Sequence, residues 1–458
     1  MLKQEFDLEL IKRYQVNTPR YTSYPTADKF NQNYNISIHI QNLQNLLVNK
    51  EKFSLYIHIP FCNTLCLFCG CNKVITNKRE KITVYLNYLE KEMQLLYESL
   101  GNKKSVISQL HFGGGSPSWL SVDEINYLMN LLSKYFDYSN ADEIAMEVDP
   151  RHTNYDYICN LKQIGFNRIS IGVQDFNALV QKAVNRIQPY ELTKNVLEAC
   201  KDMGFKSTSV DLIYGLPLQT LDSFSNTLDQ IIDLKPDRIS LFNYAHIPNV
   251  VLSQTRINEK ELPGGDVKLD ILKLSVDKLT RSGYIFIGMD HFALPNDSLS
   301  LALKNGTMQR NFQGYSTYAN LNLLALGVSA IGNINNNYFQ NYKVLEDYYQ
   351  ALDHQMLPIY RGFSMSNDDI IRKDIISYIM CQFKINYTLF EHKYRINFYE
   401  YFNEELVKLN LLIEDGLIEV IEDGFIVSNK GRFLIRNVAV IFDKYYTLNT
   451  NKIFSKAI

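Results

Sequence analysis

From about residue 53 onward, short apolar runs alternate with longer segments in which apolar residues recur every three or four positions. The runs Ser54–Ile59, Val106–His111, Glu143–Val148, Arg168–Val173, Ser207–Ile213 and Arg238–Phe242 predict strands. Segments between them, such as Lys81–Leu96 and Val122–Tyr135, predict amphipathic helices. Strand followed by helix, repeated six times, predicts an α/β fold. Its sheet is parallel, closed or partly closed as a (β/α) barrel.

The rhythm is absent at both ends. Residues 1–50 show no strand pattern and contain the run Pro19-Arg20-Tyr21-Thr22-Ser23-Tyr24-Pro25-Thr26. That run has neither alternation nor an apolar stripe, yet it is too aromatic for a disordered arm, and it is expected to fold over a ligand. After about residue 360, Ser366-Asn367-Asp368-Asp369 has the form of a capping box opening a helix through Cys381. Farther on, Leu417–Ile421, the Asp423-Gly424 turn and Phe425–Val427 predict a hairpin. Three parts are therefore expected: an N-terminal lid or arm (1–50), a βα-barrel catalytic domain (51–360) and a smaller, mainly helical, winged-helix-like domain (361–458).

A winged helix suggests DNA, but charge argues against it. Residues 361–445 carry eleven Lys/Arg against thirteen Asp/Glu, which is no footprint for phosphate. Over the whole chain, 47 Lys/Arg and 49 Asp/Glu give a net charge of −2, so neither nucleic acid nor a membrane surface is an expected partner. Acids interrupt Met1-Leu2-Lys3-Gln4-Glu5-Phe6-Asp7, and no apolar run approaches the ~18 residues of a membrane span. A cytoplasmic, soluble protein is expected.

Of the seven cysteines, Cys62, Cys66, Cys69 and Cys71 fall within ten residues, whereas Cys159, Cys200 and Cys381 lie apart in helical patterns and read as small buried hydrophobes. A disulfide framework would spread its cysteines. Cys62, Cys66 and Cys69 have the spacing C-x3-C-x2-C directly after a predicted strand, which lets one loop wrap an iron–sulfur cluster. Three ligands leave the fourth iron open to an outside ligand. Zinc would need a second ligand pair, and His58 reads as a strand residue.

Beyond the second strand stands His111-Phe112-Gly113-Gly114-Gly115-Ser116-Pro117, whose glycines let the backbone approach a ligand. Glu147, Gln174, Arg186 and Asp211 also end or follow strands, and in a βα barrel such ends share one mouth.

The cysteine loop resembles the signature of the radical S-adenosylmethionine (SAM) superfamily, and the fold it implies is that superfamily's partial or full barrel. More narrowly, the chain from about residue 13 resembles the oxygen-independent coproporphyrinogen III oxidases. The carrying stretches are Pro19–Thr26, Tyr56–Lys73, Glu147–Arg151, Gly172–Asn177, Asp211–Pro217, Phe242–Pro248, Gly288–Ala293 and Arg310–Tyr315. Gly70-Cys71-Asn72-Lys73 discriminates most against the related heme-chaperone branch. Two departures are small: Ser116 stands where Thr is usual, and Leu67 replaces a usual aromatic.

The resemblance implies one 4Fe–4S cluster on Cys62, Cys66 and Cys69, and two SAM molecules. It places SAM contacts at Tyr56, the Phe68 backbone, Gly114, Gly115, Ser116, Glu147, Gln174, Arg186, Asp211, Ala245 and Ile331. The implied reaction is oxidative decarboxylation of two propionates of coproporphyrinogen III to vinyl groups, giving protoporphyrinogen IX, by a 5′-deoxyadenosyl radical made from SAM. A separate reductant protein and a monomeric enzyme are expected. Cys71 cannot be a fourth ligand without blocking the iron that SAM needs, so it is expected to act on the substrate side. Arg20, Lys73, Arg151 and Arg310 are candidate carboxylate anchors, and Tyr21, Tyr24 and His291 candidate lid or proton partners. A heme-trafficking protein, or a radical SAM enzyme acting on another tetrapyrrole, are the alternatives.

Overall fold

The computed structural model describes residues 6–318 and 321–447. Most of the acidic N-terminal run (residues 1–5) and the last part of the expected C-terminal domain (residues 448–458) lie outside the described residues. The chain divides into two compact units: residues 30–271 with 321–364, and residues 1–29 with 272–320 and 365–458. Both units cross the linear boundaries expected at residues 50 and 360.

The first unit carries the βα repeat. Its strands are β1 (Lys52–Ile59), β2 (Phe61–Cys62), β3 (Val74–Ile75), β4 (Ser105–Gly114), β5 (Phe136–Asp137), β6 (Glu143–Val148), β7 (Arg168–Gln174), β8 (Ser207–Tyr214) and β9 (Arg238–Asn243). The main sheet runs β9-β8-β7-β6-β4-β1 with every neighbour parallel, so consecutive βα units are neighbours in space. Each expected strand is present within two residues of its predicted start. Beyond β1 the sheet continues through Asn322–Leu326, parallel to β1, and then through the antiparallel strands Ile331–Ile334, Asn337–Asn341 and Ile359–Ser364. This extension, and not a return to β9, follows β1 in the order.

The helices start where side chains meet orphan backbone donors. Ser121 and Glu124 form a capping box before Val122–Tyr135, and Asn154 caps Tyr155–Ile164. In β7 burial alternates strictly: Ile169, Ile171 and Val173 are buried, while Ser170, Gly172 and Gln174 are half-exposed. Asp211 in β8 and Glu147 in β6 share that second, polar face, and the opposite face supplies the core. A filled barrel packs its interior with branched apolar residues; here the interior face keeps polar side chains within reach of a ligand.

The second unit holds the capping box on Ser366 and Asp369 and the helix Asn367–Gln382 that it opens. The hairpin is Ile418–Ile421 with Gly424–Val427, joined by Lys384–Asn386 into a three-stranded sheet. The expected arm is divided: its part up to Lys29 belongs to this unit, and residues 30–50 belong to the first. Tyr21 and Tyr24 are buried, the Tyr21 hydroxyl donates to Asp443 (3.0 Å), and Arg436 Nε donates to the Pro19 carbonyl (3.0 Å). Cys200 and Cys381 are buried in helices as small hydrophobes, and Cys159 is half-buried. No helix among the described residues is long and apolar enough to cross a membrane.

Candidate functional site

The three-cysteine loop leaves the C-terminal end of β1 and is drawn shut at its neck. The Val74 N–H donates to the Pro60 carbonyl (2.7 Å) and the Thr76 N–H to the Cys62 carbonyl (2.9 Å), with Cys62 opposite Ile75 in the β2–β3 pair. Within the loop, the Cys69 N–H donates to the Cys66 carbonyl (3.3 Å) and Lys73 Nζ to the Cys69 carbonyl (2.7 Å). From outside, Leu67 N–H donates to the Val184 carbonyl (3.0 Å) and Asn185 Nδ2 to the Leu65 carbonyl (2.7 Å). Leu67 packs with Val180, Val184, Leu216, Tyr244 and Ile257. The apolar role of the usual aromatic is thus kept.

Cys66 is buried, Cys62 and Cys69 are half-buried and Cys71 is exposed. Burial pushes the Cys62 thiol up to about 12. A hydrogen bond from the Cys71 thiol, and then the Lys73 charge, draw the Cys69 thiol below the usual thiol range although burial opposes them. Two guanidinium groups face the Cys66 sulfur: Arg151 Nη2 and Arg186 Nη1, each at 3.5 Å. Asp149 holds both, with Arg151 at 2.6 Å and Arg186 at 3.1 Å. Although burial opposes it, the charges of Arg186 and Arg151 keep the Asp149 carboxyl well below the usual carboxylate range.

Along the polar face the parallel register lines up the expected SAM residues. Tyr56 stands opposite His111, Glu147 opposite Ser170, Gly172 opposite Asp211, and Asp211 opposite Ser240. Tyr56 stacks on His111 at 5.9 Å and bonds His58 Nδ1 at 3.1 Å. Glu147 accepts from the Gly114 N–H (3.3 Å) and lies 3.4 Å from His111 Nε2. Burial, reinforced by the Glu147 charge, raises the Asp211 carboxyl to about 7.

The glycine stretch is a close-approach surface. Gly114 has φ +122°, and a Cβ there would stand 2.8 Å from His58; one on Gly115 would stand 2.5 Å from the Pro60 carbonyl oxygen. The Ser116 hydroxyl faces Ser118 at 3.2 Å. Gln174 has φ +71° where the β7–β8 register shifts, a strained position for a residue with a side chain. Ala245 follows β9, and Ile331 begins the strand that returns from the C-terminal end of Asn322–Leu326. All these residues therefore sit at one end of one sheet.

The residues fit an iron–sulfur cluster and SAM. Three thiols on one pinned loop suit a soft metal cluster, with guanidinium donors on one sulfur. Among the described residues no three His, Cys, Asp or Glu side chains converge as they would on a single ion, and a cubane instead spreads its thiolates over different irons. Arg186 Nε is buried without a hydrogen-bond partner, a donor suited to a carboxylate, and the missing side chains of Gly114 and Gly115 let that stretch pack directly against His58 and Pro60 at the root of the cysteine loop.

The candidate anchors fare differently. Arg151 is bound to Asp149 and Cys66 and is no free anchor, and Lys73 is spent on loop carbonyls. Arg20 pairs with Asp290. Arg310 donates through Nε to the Arg20 carbonyl (3.2 Å), and its guanidinium lies over the Tyr315 ring, which forms a perpendicular ring pair with His291. Sequence reasoning missed the Asp149 support of Arg186, although the Glu147–Arg151 stretch contained it. It also missed Gln254, a lone amide with no pattern around it.

The radical SAM superfamily matches residues 56–231, and the HemN C-terminal domain matches residues 365–434. The oxygen-independent coproporphyrinogen III oxidase of Escherichia coli K12 is 45% identical over 441 residues, 96% of each chain. That of Helicobacter pylori is 40% identical over 459 residues, 99% of this chain and 100% of the relative. The solved structure described as coproporphyrinogen III oxidase (HemN) from Escherichia coli, a radical SAM enzyme, is similar at TM-score 0.91 and 44% identity. It covers 97% of this chain and 100% of that one. The chain belongs to the oxygen-independent coproporphyrinogen III oxidase family of the radical SAM superfamily.

Proposed function

We propose that this chain is an oxidoreductase that decarboxylates two propionate side chains of coproporphyrinogen III, those of rings A and B, to vinyl groups, giving protoporphyrinogen IX without oxygen. The observation that carries the reading is a three-cysteine loop at the C-terminal end of a parallel sheet in a chain whose likeness to enzymes of that name runs over 96% or more of its length. When bound, the cluster would supply the electron that cleaves SAM to methionine and a 5′-deoxyadenosyl radical able to take a hydrogen from the propionate β-carbon, and each vinyl group would be completed by loss of carbon dioxide and of one electron to a one-electron acceptor.

The protein's own residues bind, orient and exclude. Cys62, Cys66 and Cys69 would hold the cluster through three thiolates. Arg186 neutralises the SAM carboxylate, with Nε as its open donor. Glu147 and Asp211 accept from the ammonium and ribose hydroxyls. Tyr56, Gln174, Ile331 and the backbones of Phe68, Gly114, Gly115, Ser116 and Ala245 shape the remaining walls. Two propionates require two equivalents of SAM. Cys71, exposed beside Cys69, serves the substrate side. A separate reductant protein and action as a monomer complete the reading.

Anaerobic incubation with coproporphyrinogen III, SAM and dithionite, followed by oxidation and porphyrin chromatography, tests it. Protoporphyrin with two carboxylates lost is the expected product. Tight heme binding without any decarboxylated product would overturn the reading in favour of a trafficking protein.

A further inference from the structure

The segment after β9 loops outward and returns, with Val250 and Leu252 each 77% exposed, yet Gln254 within it is only 2% exposed. Its carboxamide is fully engaged. Nε2 donates to the Phe68 carbonyl at 3.1 Å and to the Ala245 carbonyl at 3.2 Å, while Oε1 accepts from the Ile247 N–H at 2.6 Å. Three segments are tied by one group: the cysteine loop between Cys66 and Cys69, the strand end at Ala245, and the outward loop.

Burying an amide costs free energy unless every polar position is satisfied, and an apolar side chain would fill a core gap without that requirement. What the amide adds is a fixed distance between two carbonyls on separate segments. Both residues are among those whose backbones line the SAM site in the function proposed above.

We propose that Gln254 is a positioning residue for SAM: it sets the spacing of the Phe68 and Ala245 backbones and so preorganises the site without touching the cluster. This rests on the reading of Phe68 and Ala245 as SAM contacts. The cysteine loop has its own supports in the β2–β3 neck, Val184 and Asn185, so cluster binding does not depend on the amide.

The test uses Gln254→Met, of similar volume without hydrogen bonds, and Gln254→Glu. Iron content, thermal melting, SAM affinity by equilibrium dialysis, and the SAM-induced change in the cluster's electron paramagnetic resonance are measured on the reduced holoenzymes. Gln254→Met should carry full iron and bind SAM about tenfold more weakly, the order expected for one buried hydrogen bond. The KM for coproporphyrinogen III should be unchanged. Gln254→Glu regains one donor when its carboxyl is protonated, so its SAM affinity relative to the unaltered protein at the same pH should recover as pH falls from 8 to 6, whereas that ratio should stay constant for Gln254→Met. Unchanged SAM affinity in both variants, or loss of iron in Gln254→Met, would overturn the proposal. Failure of the unaltered protein to show any SAM-induced change would instead overturn the functional reading beneath it.

Discussion

Arg186 reaches the Cys66 sulfur with Nη1 at 3.5 Å while the same nitrogen binds Asp149 at 3.1 Å. One guanidinium thus couples a buried carboxylate to a cysteine of the three-cysteine loop, and Arg151 repeats the arrangement. Donors to a ligating sulfur stabilise the reduced, more negative cluster. Arg151→Met should therefore keep its iron and lower the cluster's reduction potential by roughly 30–60 mV, a shift of up to about tenfold for one electron. Anaerobic potentiometric titration reads it; an unchanged potential would remove Arg151 from the cluster's surroundings.

Cys62, Cys66 and Cys69 are each expected to be required for the cluster. Serine at any one should abolish most of the bound iron and the broad absorption expected at roughly 400 nm, a property of the cofactor itself. Full iron in any of these variants would void the ligand assignment.

For Cys71→Ser the outcome should be the opposite. The residue is exposed, and its thiol faces Cys69 in place of closing a fourth corner. Iron and the SAM-induced resonance change should persist while decarboxylation falls by at least about tenfold, an effect on the order of one lost catalytic interaction. Loss of iron would make Cys71 a ligand, and full activity would make it a bystander.

Asp211 gives a pH signature. Burial and the neighbouring Glu147 charge raise its carboxyl to about 7, opposed by hydrogen bonds from Ser240 and Ser170 and by Arg186. Because the folded value lies above the unfolded one of about 4, this group favours the fold at low pH, and its contribution is lost as pH rises from about 4 through 7. Binding of the sulfonium cation has the reverse sign, since it favours the ionised form. SAM affinity should rise about tenfold between pH 6 and 8, following the ionised fraction. Asp211→Asn should flatten that profile; a flat profile in the unaltered protein would exclude Asp211 from the SAM site.

The N-terminal arm should behave as part of its own unit. Tyr21→Phe leaves the buried Asp443 carboxyl without its 3.0 Å donor, at a cost of about 1–3 kcal/mol. Faster proteolysis near the C-terminus with unaltered cluster absorbance is expected. Truncation through residue 30 should likewise retain the cluster and lose turnover. Normal activity after truncation would show the arm to be dispensable.

What the sequence made legible was local. Ile169, Ile171 and Val173 alternate with Ser170, Gly172 and Gln174, so both the strand and its polar face can be read from the residue pattern. Ser366 and Asp369 declare a helix start within four residues. The two-residue strands Phe61–Cys62 and Val74–Ile75 are too short for any periodicity, and only their pairing reveals the loop's neck. Arg151 read as a candidate carboxylate anchor because charge in a sequence carries no partner; its bonds to Asp149 and Cys66 exist only once the loop is folded. Gln254 was invisible for the same reason.

The bond between Tyr21 and Asp443 joins residues 422 positions apart. At the usual pace of 5–20 residues per second, a ribosome needs on the order of 20–80 s between making one and the other. During that interval Tyr21 and Tyr24 have no folded destination, although the strands of the first unit emerge and pair in sequence behind them. The arm is therefore an aromatic segment that stays without its folded partner for most of translation.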